Sequence, residues 1–296
     1  MRNLFDWIFL GFALSAVVVL IVVSQLYITR LGTTRVESLG VFSIEFLFEG
    51  EVSETVKNAF IQAGRDWEQV FTSSLSTVAT LQGKWCGVSF IGPRTVSGVL
   101  IAVYVRPIDA VGQVLAQAGP CAIDAQGFVR FGVVTMDSFD LTYVNPYAVA
   151  RHEIGHVLGI GTLWAMFGGY YDESTYQYLK PEGLRGYAEL GGEQDDMLKV
   201  ENDGGSGTRF AHWEEDLFDA ELMTGFVEES GYMPISRISV GALQDLGYPV
   251  STDRAETFAL PSRRRLRDSK IHVFTPVKNC TGTGYEIRVV EAKSRG

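Results

Sequence analysis

The chain has 296 residues, of which 46% are hydrophobic, and it carries a formal net charge of −10. This length allows one substantial core or two subdomains that share a cleft, and the composition is that of a globular protein rather than a disordered one. The negative charge argues against a nucleic-acid partner, because phosphate binding needs a cationic surface.

The first predicted element is an apolar segment from Trp7 to Val23, which contains no charged residue. It is long enough to cross a slightly thinned bilayer or to serve as a signal sequence. Trp7 and Tyr27 suit a membrane interface and no clear cleavage site follows, so we predict an uncleaved anchor over residues 1–30. Secretion after cleavage is the alternative. Residues 31–40 form a short polar tether.

Three cysteines, Cys86, Cys121 and Cys280, show no metal-ligand spacing, although one pair could form a disulfide in an oxidising compartment. Together with the anchor, they lead us to expect a domain outside the cytoplasm, at the cell surface or in the periplasm. The membrane is then a partner through the N-terminal helix.

The globular domain is predicted to begin with a strand over residues 41–48, where polar and apolar residues alternate. Apolar residues at helical spacing predict an amphipathic helix over 51–71. Continuous apolar runs predict buried strands over 99–105 and 128–136.

A second helix is predicted to start at Asn145-Pro146, because asparagine caps free amides and proline fits the first helical position. Gly159 is its predicted end. Residues 165–207 show no steady period and predict a long irregular insertion. A last helix is predicted over 234–246.

The second helix contains His152-Glu153-Ile154-Gly155-His156, in which two imidazoles at i and i+4 project from one face and can share one zinc ion. Glu153 lies on the adjacent flank, where a carboxylate can take a proton from water. A catalytic zinc normally uses three protein ligands. Composition favours His212 over His272 as the third, and an acidic residue could also serve.

These residues resemble the metzincin zinc peptidases, whose pattern H-E-x-x-H-x-x-G-x-x-H is matched by His152, Glu153, His156 and Gly159. The last position of the pattern instead holds Thr162. Leishmanolysin-like members carry a long insertion after the glycine, and their third ligand follows that insertion.

The resemblance to the leishmanolysin-like family assigns His212 as the third zinc ligand and Met223 as the methionine of the turn beneath the metal. Bacterial-type members are especially similar, through segments such as 159–164 and 243–248. The resemblance covers about residues 42 to 261 and implies an α+β catalytic domain over 41–261. It implies a twisted mixed sheet, a zinc-binding helix and a second, more irregular C-terminal subdomain across a cleft.

The remaining charged segments favour a solvated surface. The acids Glu189, Glu193, Asp195, Asp196 and Glu201 show no regular calcium-ligand spacing. The basic extension over 262–296 carries a net charge of +6 and is read as a surface-binding appendage or a solvated extension.

The sequence therefore predicts a membrane-anchored zinc endopeptidase that acts on proteins or peptides, with one catalytic Zn²⁺ and Glu153 as general base. The competing hypotheses are an adhesion protein that keeps the zinc without turnover and a zinc hydrolase with a non-peptide substrate. The intact Glu153 argues against a purely structural zinc site, which has no use for a base.

Overall fold

The computed structural model describes residues 33–34, 41–193, 197–203, 205, 207–228, 231–261, 271–272, 275–276 and 287–295. The chain divides into two compact units, residues 1–34 and 35–296. Only the strand Thr33–Thr34 is described in the first unit, so the predicted anchor lies outside the described residues. Within the described part of the chain, no helix is long and apolar enough to span a bilayer.

The second unit contains both strands and helices. Its strands are β1 (Ile44–Glu49), β2 (Thr77–Trp85), β3 (Val88–Val96), β4 (Val99–Arg106), β5 (Ala116–Asp124), β6 (Val129–Asp137), β7 (Phe226–Val227), β8 (Ile271–His272), β9 (Thr275–Pro276), β10 (Arg288–Val290) and β11 (Ala292–Ser294). Its α-helices are α1 (Glu54–Val70), α2 (Pro146–Leu158), α3 (Trp164–Phe167), α4 (Pro181–Glu189), α5 (Glu215–Phe218) and α6 (Arg237–Asp245), and a 3₁₀ turn spans Thr252–Arg254.

The main sheet is mixed, with the strand order β1–β4–β6–β5. The first three of these strands are parallel to one another, and β5 runs antiparallel to β6. A smaller antiparallel sheet has the order β11–β2–β3. The mixed sheets and helices fit the α+β metallopeptidase fold that the sequence predicted.

The two faces of the main sheet are buried in two separate hydrophobic clusters. Because side chains alternate along a strand, Val99, Ile101 and Val103 of β4 join one cluster, while Leu100 and Ala102 join the other. Helices α1 and α2 pack on the first face, and the small sheet covers the second. Both faces of β4 are therefore buried, which explains its continuous apolar run.

A disulfide joins the small sheet to the main one. Cys86 lies in the turn between β2 and β3, and Cys121 lies in β5, with 6.0 Å between their Cα atoms. The sequence left the pairing of the three cysteines open, and Cys280 lies outside the described residues.

The predicted helices and buried strands are confirmed, with boundaries shifted by a few residues. The prediction of an irregular segment over 165–207 is wrong in part, because α4 lies within it and packs against α6. Two glycines explain the close packing: a Cβ on Gly186 would lie 2.3 Å from the Arg237 carbonyl oxygen, and one on Gly241 would lie 2.4 Å from that of Glu182.

The described residues of the C-terminal extension pair with strands of the domain. β8 pairs antiparallel with β7, whereas β9 and β10 run parallel to β5. These segments therefore add to the sheets, while Arg288 and Val289 remain exposed to solvent. The arginine run over 263–267 lies outside the described residues.

Candidate metal centre

Helix α2 carries the first two histidines, and its ends are set by local sequence. The Asn145 side chain accepts a hydrogen bond from the Tyr147 amide, and Pro146 occupies the first turn. Gly159 ends the helix at φ +114°, a left-handed conformation that favours glycine. The predicted start and stop of this helix are therefore confirmed.

The three predicted histidine ligands meet at one point. Nε2 of His212 lies 3.1 Å from Nε2 of His152 and 3.1 Å from Nε2 of His156. All three side chains are fully buried. The structure thus brings His212, which lies 56 residues after His156 in the chain, onto the α2 pair.

Backbone carbonyls orient the three rings. The Nδ1 atoms of His152, His156 and His212 lie 2.7, 2.9 and 2.9 Å from the carbonyl oxygens of Leu222, Ile160 and Thr208, respectively. A carbonyl oxygen can only accept a hydrogen bond, so each Nδ1 carries the proton. In the neutral rings, the three Nε2 lone pairs then face one another.

Burial keeps the imidazoles of His152 and His156 neutral. Burial lowers the pKa of His152 well below its usual value of 6.5, and repulsion from His156 and His212 lowers it further. Burial also lowers the pKa of His156, to about 4. Neutral imidazole is the form that binds metal ions.

The donor set fits a tetrahedral zinc ion. Zn–N bonds of about 2.0–2.1 Å hold two ligand nitrogens roughly 3.3 Å apart in a tetrahedral site, and the observed Nε2 separations are 3.1 Å. Three uncharged lone pairs at this spacing repel one another unless a cation lies between them. Ring N–H groups bound to backbone carbonyls are the usual support of histidine ligands.

Glu153, which follows His152 in helix α2, is also buried. Its side chain has no exposed surface, and neither carboxylate oxygen has a hydrogen-bond partner among the described residues. Burial raises its pKa well above 4.5. A buried carboxyl group without partners is costly to the fold, which favours a functional role for it.

The loop after α2 brings the His212 segment to the site. Gly161 has φ +73°, and a Cβ built on it would lie 1.9 Å from the Ala211 carbonyl oxygen. Only glycine allows this approach of the two backbones next to His212. Thr162, at the position of the third ligand in the general metzincin pattern, donates a hydrogen bond to the His156 carbonyl oxygen.

Met223 lies against the α2 backbone between the two motif histidines. A Cβ built on Gly155 would lie 2.5 Å from the Met223 sulfur and 3.0 Å from the Trp67 ring. Met223 is fully buried and contacts the helix by packing. Sequence reasoning gave Gly155 no role, because nothing in the motif indicates which side chain packs against it.

The acids predicted to be solvated differ in their surroundings. Glu189 is exposed and pairs with Arg237 at 2.7 Å, whereas Glu201 is buried and accepts hydrogen bonds from the amides of Asn202, Asp203 and Glu215. The prediction of a solvated side chain is therefore wrong for Glu201, which organises the loop before His212. Asp195 and Asp196 lie outside the described residues.

Part of the chain matches the model of a known protein family. Residues 190–262 match the leishmanolysin family model, and the matched segment includes His212 and Met223. The match supports the leishmanolysin-like family that the sequence predicted. No curated protein matches the chain.

Proposed function

We propose that this leishmanolysin-like chain is a zinc-dependent endopeptidase that hydrolyses peptide bonds with Glu153 as general base. The observation that carries the proposal is the convergence of three imidazole Nε2 atoms from two distant segments. Glu153, the residue after His152, adds a buried carboxyl group that has no hydrogen-bond partner among the described residues. The particular likeness to bacterial-type members stays a prediction from the sequence segments.

His152, His156 and His212 would hold one Zn²⁺ through their Nε2 atoms, leaving a fourth position for water or substrate. A bound zinc would supply Lewis-acid chemistry, because it lowers the pKa of water towards about 7 and polarises a peptide carbonyl. Met223 and Gly159 act structurally: the first packs under α2, and the second ends it.

Glu153 would take the proton from the attacking water and then deliver it to the leaving amine. Burial raises the pKa of the Glu153 carboxyl group, which makes its carboxylate a stronger base. A glutamate one residue after the first histidine is not needed as a ligand, so its carboxyl group is free to carry the proton.

The test of the function is a cleavage-site profile of the purified protein on a diverse peptide library, with and without a zinc chelator. We expect internal peptide bonds to be cut, and we expect the chelator to abolish all cleavage. If no peptide is cut while the protein binds zinc, the adhesion hypothesis gains support; turnover of other substrates alone would favour a non-peptide hydrolase.

We also propose that residues 1–30 anchor the chain in a membrane and that the domain over 41–261 lies outside the cytoplasm. The apolar segment from Trp7 to Val23 supports the anchor. The Cys86–Cys121 disulfide supports the location, because structural disulfides persist in oxidising compartments. Peptide or protein substrates would then be met at the cell surface or in the periplasm.

The topology can be tested with a tag placed after Gly296. In cells whose outer envelope has been made permeable, we expect added protease to remove the tag without disruption of the inner membrane. Digestion only after that membrane is opened would refute an external domain. A cytoplasmic protein of the same cells, followed in parallel, controls for membrane integrity.

A further inference from the structure

We infer that Glu221 is a positioning residue of the metal centre, which holds His152 and His212 in place through the turn at 221–224 and through helix α6. The inference rests on the proposed zinc site. The Glu221 side chain is fully buried.

The Glu221 carboxylate connects the turn to the start of α6. Its Oε2 accepts a hydrogen bond from the Met223 amide at 2.5 Å. Its Oε1 accepts hydrogen bonds from the Ser236 hydroxyl at 2.7 Å and from the Ser239 hydroxyl at 2.6 Å. One buried group therefore fixes two chain segments relative to each other.

Both serine hydroxyl oxygens also accept hydrogen bonds from other groups. The Ser236 hydroxyl oxygen accepts from the Ile238 amide as the α6 cap. The Ser239 hydroxyl oxygen accepts from the Trp213 indole N–H at 2.9 Å. Each serine therefore has its single hydroxyl proton available for Glu221, whose two oxygens both act as acceptors in this network.

The network reaches two of the three histidines. Leu222, next to Glu221, offers the carbonyl oxygen that binds Nδ1 of His152 at 2.7 Å. Trp213, next to His212, is held at its indole by Ser239 and at its amide by the Met223 carbonyl oxygen, 3.0 Å away. A shift of the Glu221 side chain would therefore move ligands from both segments.

The test is Glu221→Gln, which preserves size but places an amide N–H₂ against either the Met223 amide or the two serine hydroxyls. We expect the zinc dissociation constant to rise about 10–100-fold, the usual effect of losing a partner that orients a ligand. The constant is measured by competition with a fluorescent zinc chelator, on full-length protein shown to be folded by circular dichroism. The visible spectrum of the cobalt-substituted protein should change as well.

Asp137→Asn is the matched control. Asp137 is also fully buried, and its carboxylate accepts backbone amides from Ile108, Asp109 and Phe139 in the loops after β4 and β6. This variant should lose stability but keep the zinc affinity and the cobalt spectrum of the parent. A purely structural role for Glu221 would make the two variants behave alike.

Ser239→Ala is the second variant, for use if Glu221→Gln does not fold. It removes one donor to Glu221 and the acceptor for Trp213, and should weaken zinc binding about 3–10-fold, less than the full loss of an orienting partner. Unchanged zinc affinity in the folded variant would overturn the inference. Zinc binding is measured without substrate, so a protein that binds zinc but cleaves nothing would refute the proposed function and leave this inference standing.

Discussion

Glu153→Gln is expected to lower the rate of peptide-bond cleavage by about 10²–10⁴-fold while zinc stays bound, because general acid–base catalysis contributes that much. Glutamine keeps the size of the side chain but cannot accept the proton. The parent carboxyl group is buried, has no hydrogen-bond partner in the described part of the chain, and has a raised pKa. Removing its charge should leave the fold intact or more stable.

Rate and zinc content are measured together for Glu153→Gln, on a peptide found in the cleavage profile. Glu68→Gln is the control, since Glu68 is another buried glutamate, on α1, whose Oε1 accepts the Ile44 amide at 2.8 Å. That variant should cleave at close to the parent rate. Cleavage by zinc-loaded Glu153→Gln at the parent rate would exclude Glu153 as the base.

His212→Ala is expected to abolish both zinc binding and cleavage. It removes one of three Nε2 donors that lie 3.1 Å apart in a fully buried cluster. Because the loss of a partner that merely orients a ligand already costs 10–100-fold in affinity, the loss of a ligand should cost more than about 100-fold. The zinc content of the variant after dialysis against a weak chelator measures this loss of affinity.

Thr162→Ala and His272→Ala are the controls for the third ligand. The Thr162 hydroxyl donates a hydrogen bond to the His156 carbonyl oxygen. Because this side chain carries no nitrogen ligand, its removal should leave zinc bound. His272 lies in β8 and is expected to be equally dispensable. Full zinc occupancy in His212→Ala, with loss of zinc in His272→Ala, would show that the ligand was assigned wrongly.

The elements that the sequence predicted well are those whose signal is local. Helix α2 combines a capping asparagine, a proline in the first turn and a glycine at its end, and each acts within a few residues. The strand β4 is buried on both faces, and its continuous apolar run predicts such a buried strand.

The elements that sequence reasoning missed depend on distant partners. Strand β2 is buried at alternate positions only near its start, and β5 begins Ala-Gln-Ala-Gly-Pro, a weak strand former by composition. Both are stabilised by pairing with neighbouring strands and, through Cys121, by the disulfide to Cys86. Helix α4 is held by α6, to which its glycines allow close approach.

The sequence by itself determined the pair His152 and His156 with Glu153 between them, because i and i+4 on one helix already place two ligands on one face. The resemblance added His212 and Met223. Only the tertiary structure decided that His212 lies within 3.1 Å of the pair, that backbone carbonyls orient the rings through Nδ1, and that Glu221 holds the turn after His212. The physical reason is that such contacts join residues far apart in the chain, and a contact of this kind depends on the packing of the whole domain rather than on local spacing.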